Sequence, residues 1–264
     1  MNDEFKFDAP DGDIILRALG PPSRDFRVHK LVLSLASPVF KDMFSLPQLR
    51  PAAFEVVGDA DVEVVDVADP PHALSLVLRF IYPFPPPNID NLDILIESLI
   101  IADKYDIEGA RARLRVRLTK FANEDPLRVY AIASRFGLNK EAEAVSSLTT
   151  ATYLPILTKL PDDFKYVPAT AYHKLIMVHM KHRESIEDAA NAVQFEPACP
   201  ACGLLKEVLE PRMRTMLVRM ICKNQLVTVD LCVEKLGARC HGSCMTKFVG
   251  DVLGKLGKTT AIQS

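Results

Sequence analysis

The segment FRVHKLVLSLASPVFKDMF, residues 26–44, passes from one hydrophobic period to another without a break. Phe26-Arg27-Val28 alternates apolar and charged residues, as a half-buried strand does. His29–Leu35 and Pro38–Phe44 then read as two short helices. Ser37 stands where a side-chain oxygen can accept from the free N–H groups of the second helix, and Pro38 suits its first position. A strand that runs straight into two short helices predicts a small sheet capped by helices.

The flanks agree with that prediction. Upstream, Asp13–Leu19 reads as a strand, and Gly20–Asp25, with Pro21 and Pro22, as the turn between the two strands. Downstream, Val62–Val67 is β-branched and reads as a third strand. Pro71–Tyr82 places Leu74, Val77, Leu78 and Ile81 three and four apart, a helix that stops at Pro83. Phe84–Asn88 holds three prolines and reads as a loop. Leu92, Leu95, Ile96, Leu99 and Ile100 form the clearest helical stripe in the chain. Gly109–Lys120 is ambiguous, because RARLRVRL alternates like a strand. Its helical reading aligns Ile107, Ala110, Leu114, Leu118 and Phe121, with four arginines as solvated flanks, and is preferred on propensity.

From Asn123 onward helix signals dominate. Asp125-Pro126 opens one helix and Gly137 ends it; Asn139 is expected to cap the next, running towards Thr150. Pro168 opens a long helix reaching about Val193. Leu204–Leu209, Pro211–Lys223, Val229–Leu236 and Met245–Leu256 read as separate helical segments. The fold class is therefore α+β, an N-terminal region of short strands with helices followed by an all-helical region. The expected division is 1–122, 123–195 and 196–264.

Composition narrows the function classes. The chain has 264 residues, 48% of them hydrophobic and 25% charged, as in ordinary globular proteins. A net charge of −2 gives no field for nucleic acid. No apolar run is long enough for a bilayer, and the Met-Asn-Asp-Glu start is no secretory signal. The expectation is a cytoplasmic or nuclear protein that binds neither nucleic acid, membrane nor a small-molecule substrate. Neither a phosphate-binding glycine loop nor a G-x-S-x-G serine occurs, so no enzyme is expected.

Five blocks carry a family resemblance: DGDIIL (11–16), FRVHKLVLS (26–34), SPVFKDMF (37–44), LRFIY (78–82) and ADKYDI (102–107). In that order they resemble the BTB/POZ domain over residues 11 to 122, and Tyr82-Pro83 is similar to the variety common in fungal proteins. Residues 126–144 resemble the helical pair that follows the domain there. The resemblance implies a protein-interaction module that self-associates, with an unidentified protein partner for the helical region. It places Asp13, His29 and Lys30 at a polar pocket near the dimer groove. His29 is there either to order the turn or to contact a partner. Phe40 and Phe44, with Met43, Leu76, Phe80 and Tyr82, are large apolar residues, some of which a second copy would cover. The alternative is a cullin-type ubiquitin-ligase adaptor, for which Ala53-Phe54-Glu55 has alanine where such adaptors carry a bulky apolar residue.

The tail holds the other chemical signal. Cys199-Pro200-Ala201-Cys202-Gly203 is a knuckle that aims two thiolates at one point, and Cys240–Cys244 supplies a second close pair. Together Cys199, Cys202, Cys240 and Cys244 have the ligand chemistry of a structural zinc site, His241 being an alternative to Cys240. Free thiols, or a disulfide formed on oxidation, are the competing readings. His179 and His182, three apart on the long helix, read as part of a solvated basic face rather than as metal ligands.

Overall fold

A computed structural model describes residues 6–46, 62–151, 160–194, 206–222 and 242–255. The chain divides into two compact units, Met1–Glu124 and Asp125–Ser264.

The first unit is built on a three-stranded sheet of β1 (Ile14–Ala18), β2 (Arg24–Val28) and β3 (Glu63–Val67), in the order β2-β1-β3. β1 pairs antiparallel with β2, Ile14 opposite Val28, and parallel with β3, Ile14 opposite Glu63. The period of two puts Ile14, Leu16 and Ala18 of β1 on one face with Phe26 and Val28 of β2, all fully buried. Arg17 lies directly opposite Asp25 and grips its carboxylate with two hydrogen bonds of 2.9 and 3.1 Å.

Among the described residues five α-helices accompany the sheet: α1 (Lys30–Ala36), α2 (Pro38–Ser45), α3 (Pro71–Ile81), α4 (Leu92–Lys104) and α5 (Glu108–Leu118). Their starts follow local chemistry. Ser37 Oγ accepts from the Phe40 N–H at 3.0 Å and caps α2, with Pro38 at its first position. Asn91 Oδ1 accepts from Asp93 and Ile94 and caps α4. The ambiguous arginine-rich stretch is helical, and Ala110, Leu114 and Leu118 bury the expected stripe. Its arginines are tied down rather than merely solvated. Arg111 binds Asp103, Asp106 and Glu108. Arg113 donates to the Phe80 carbonyl at 3.0 Å, satisfying the C-terminal end of α3.

The second unit begins with α6 (Pro126–Arg135), capped by Asp125, whose carboxylate accepts from the Arg128 N–H at 3.2 Å. Gly137, at φ +65°, ends it. The Gly137 N–H reaches the Ser134 carbonyl and the Leu138 N–H the Ala133 carbonyl, a paired closure that needs the left-handed backbone. This corrects the expected role of Asn139. α7 (Asn139–Ser146) starts at Asn139 itself, Leu138 holds the cap position, and no side chain caps it. The reason is that the closing turn of α6 already directs the chain into α7.

The further α-helices among the described residues are α8 (Ala169–Asn191), α9 (Lys206–Cys222) and α10 (Gly242–Lys255). Pro211 does not separate two helices as expected but lies inside α9. It forfeits one backbone hydrogen bond, and packing outweighs that loss: Met213 and Leu217 are buried, and Arg214 donates to the Ala190 and Val193 carbonyls at the end of α8. α10 starts before the expected Met245 and buries Phe248, Val249 and Val252. The expected segment Val229–Leu236 lies outside the described residues.

Candidate partner-binding surface

The corner between β2 and α1 is held by charged and polar groups from four separate stretches of chain. α1 has no side-chain cap of its own, because His29 at the cap position bonds elsewhere. Asp13, one residue before β1, fills the gap: its carboxylate accepts from the Lys30 N–H at 2.7 Å. The Lys30 ammonium crosses to Glu63 on β3 at 2.5 Å. The His29 N–H donates to the Tyr82 hydroxyl at 2.8 Å, and the His29 Nδ1 lies 3.1 Å from the same oxygen. The other ring nitrogen, Nε2, lies 3.4 Å from the Asp11 carboxylate, so the imidazole stands between the phenol and an acid. Burial, and then Asp13 and Asp11, push the Tyr82 phenol above its ordinary range, so it stays a donor. Tyr82 also closes an aromatic cluster with Phe7 and Phe84 at 5.6 and 5.9 Å. Asp13, His29 and Lys30 therefore meet at this corner, and each is already committed to bonds inside the unit.

The two phenylalanines of the expected interface divide. Phe40 is fully buried and stacks on Tyr105 with ring centroids 4.4 Å apart and planes within 9°. Its work is in the core, and no second copy can reach it without unpacking α2. Leu76 and Phe80 are buried in the same way. Phe44 is only partly buried, stacked on Phe40 at 5.8 Å.

Among the exposed large apolar side chains of the unit, four lie on or next to α1 and α2. Leu31 is 69% exposed and Leu35 81%, and their spacing of four puts them on one face of α1. Val39 at the start of α2 and Leu46 just beyond its end are also exposed. The available signal was KLVLSLA itself, which carries more leucine than a seven-residue helix needs to pack one face, Leu33 being its one fully buried member.

This succession of two strands, a helix pair, a third strand and three further helices, with the β2–α1 corner at its centre, falls within a stretch for which a relationship is found. Residues 11–121 match the BTB/POZ domain family. The first unit is thus a BTB/POZ domain, an interaction module. No curated protein matches the chain. In the BTB unit the match stops short of Phe7, although that ring packs against Phe26, Tyr82 and Phe84.

A second polar group in the BTB unit is internal bracing. Asp69 accepts from the Tyr105 hydroxyl at 2.6 Å and from Lys104 at 2.9 and 3.0 Å. Burial and then Asp69 hold the Tyr105 phenol far above its ordinary range. Ser37 donates to the Tyr105 carbonyl, joining the α2 cap to the end of α4.

In the second unit His179 departs from the solvated face expected of it. Its Nε2 lies 2.9 Å from Thr149 Oγ1, and Thr149 is buried. The Thr149 proton goes to the Ser146 carbonyl at 2.5 Å, so the imidazole is the donor. Burial, and then His182, lower the His179 pKa to about 4. Among the described residues no group of three His, Cys, Asp or Glu side chains is placed to hold a metal ion. Cys199, Cys202, Cys240 and His241 lie outside the described residues, as does Ala53-Phe54-Glu55. The backbone of Cys244 falls in the first turn of α10, so the short loop expected between Cys240 and Cys244 gives way to helix at Gly242. No helix among the described residues is long and apolar enough to cross a membrane.

Proposed function

We propose that the chain is a self-associating interaction protein, not an enzyme, whose BTB unit pairs with a second copy and whose helical unit presents a surface to a protein partner. The observation that carries the first half is the exposed Leu31–Leu35 face of α1. Two leucines on one short helix, with Val39 and Leu46 close in sequence, form an apolar surface that water penalises and a second copy relieves. A twofold pair brings the same patch from both chains together, and stable pairs of this kind bury more than about 2,000 Å². Asp13, His29 and Lys30 fix the angle at which α1 leaves the sheet. Their role in that pairing is to position α1, with Phe44 at the margin. Tyr82-Pro83 supports reading the domain as the fungal variety.

The test has two arms. Leu31→Glu with Leu35→Glu should turn a dimer into a folded monomer. A photo-cross-linking residue at the exposed Met180 should trap a partner protein on the helical unit. A cullin recovered with the wild-type chain would move the reading to the ligase-adaptor alternative.

A further inference from the structure

We propose that Arg135 and Lys165, set around the exposed ring of Tyr166, form a docking point for an acidic peptide segment of a partner protein. This rests on the reading that the helical unit presents a partner surface, and it names the chemistry of that partner. The Arg135 guanidinium lies 4.1 Å from the Tyr166 ring centroid and the Lys165 ammonium 4.9 Å from the same centroid. Tyr166 is 52% exposed, so the cluster faces solvent. Arg135 also lies 5.2 Å over the ring of Phe136, the last residue before the Gly137 turn.

Two like charges on one ring repel, and the ring quadrupole offsets only part of that cost. A carboxylate between them would offset the rest. Among the described residues neither cation has such a partner. The Asp163 carboxylate, in the same turn as Lys165, is occupied: it holds Arg128 at 2.7 Å. Asp162, in the same turn, makes no ion pair among the described residues, and one carboxylate against two cations leaves the cluster net positive. The sequence from 144 to 161 contributes no Asp or Glu and one lysine.

The geometry also selects a peptide over a lone anion. Arg135 is pre-ordered by its stack, so its fork of donors is free at the edge to take a carboxylate in two hydrogen bonds. Tyr166 and Phe136 offer apolar ring surface alongside, suited to an aromatic or aliphatic side chain next to that carboxylate. Buried arginine and tyrosine anchors are the side chains that dominate protein interfaces. A helix turn fixed by Gly137 and a short 3-10 turn at Asp162–Tyr166 hold the two halves of the cluster on rigid supports.

The experiment uses the full chain and the fluorescein-labelled pentapeptide EDFED, with QNFQN as the uncharged control, read by fluorescence anisotropy. EDFED should bind, and QNFQN should bind at least tenfold more weakly. Arg135→Gln should weaken EDFED about tenfold, Tyr166→Ala by a similar factor, and Lys165→Gln several-fold. Arg135→Lys should recover part of the loss. All are surface changes, and an unchanged circular dichroism spectrum and melting temperature would exclude unfolding as the cause. Hydrogen exchange should show protection at 135–136 and 162–166. Failure of EDFED to bind, equal binding of both peptides, or affinity indifferent to Arg135→Gln and Tyr166→Ala would overturn the proposal. So would protection confined to α8 or α9, or an RNA oligomer bound with the same dependence on Arg135. In any of those cases, a partner still trapped from Met180 would leave the helical unit as the binding region, whereas no partner trapped there would end that broader reading.

Discussion

Gly137 occupies a backbone region that side chains with a Cβ enter at a cost, and nothing lies within 4 Å of where that Cβ would stand. The cost of replacing it is therefore purely one of backbone strain. Gly137→Ala should destabilise the second unit by about 1 kcal/mol without displacing any neighbour, measured by denaturant midpoint. His179 gives a pH-dependent counterpart. Unfolded, its imidazole protonates near the ordinary 6.5; folded, it is held to about 4. Between those values only the unfolded chain takes the proton. The stability tied to the neutral ring is thus complete above about pH 6.5 and is lost as the pH falls towards 4. Between pH 7 and pH 5 the wild type should lose about 1 kcal/mol more than His179→Gln, the partial exposure of the ring limiting the effect. Equal losses would remove His179 from the account. At this scale the sequence was readable where a residue acts on its own neighbours. Ser37 and Asp125 cap their helices because the acceptor and the N–H it serves lie three residues apart. Asp13 and the Lys30 N–H it satisfies are distant in sequence, and so are His179 and Thr149; no local pattern announces either.

Helix α2 shows how one element divides its residues between folding and association. Phe40 and Phe44 both look like candidates for a shared surface, but Phe40 stacks on Tyr105 inside the BTB unit. Phe40→Ala should cost about 3–5 kcal/mol of stability and lower the melting temperature sharply. On α1, Leu31→Glu with Leu35→Glu should leave the melting transition of the BTB unit in place and abolish self-association. The opposite pattern, a stable Phe40→Ala or an unfolded double glutamate, would exchange their assigned roles. The elements themselves were largely legible, because strand and helix periods differ and prolines mark several boundaries. The arginine-rich α5 was separable from a strand by its Ala110, Leu114 and Leu118 stripe. Pro211 misled for a physical reason: the contacts of Met213, Leu217 and Arg214 with their own unit carry α9 through a residue that would break an isolated helix.

On the scale of the whole molecule, two proposals add to the described structure. One is that Cys199, Cys202, Cys240 and Cys244 share a single structural zinc, which would pin α10 and close a long stretch of chain. Metal analysis of the purified chain should return one zinc per chain. A chelator should loosen the tail, seen as faster hydrogen exchange in α10, and leave the BTB unit folded. A metal-free chain with the same α10 protection would return the cysteines to ordinary thiols. The other proposal, self-association, is the central one. It was legible only as far as the family goes: the five blocks within residues 11–107 point to a BTB/POZ domain, while the face that pairs had to be read from exposure at Leu31 and Leu35. Sedimentation equilibrium of the full chain at micromolar concentration tests it most directly. The account predicts a mass twice the 29.3 kDa of one chain, falling to 29.3 kDa in Leu31→Glu/Leu35→Glu; a wild-type chain that sediments as a monomer would contradict it.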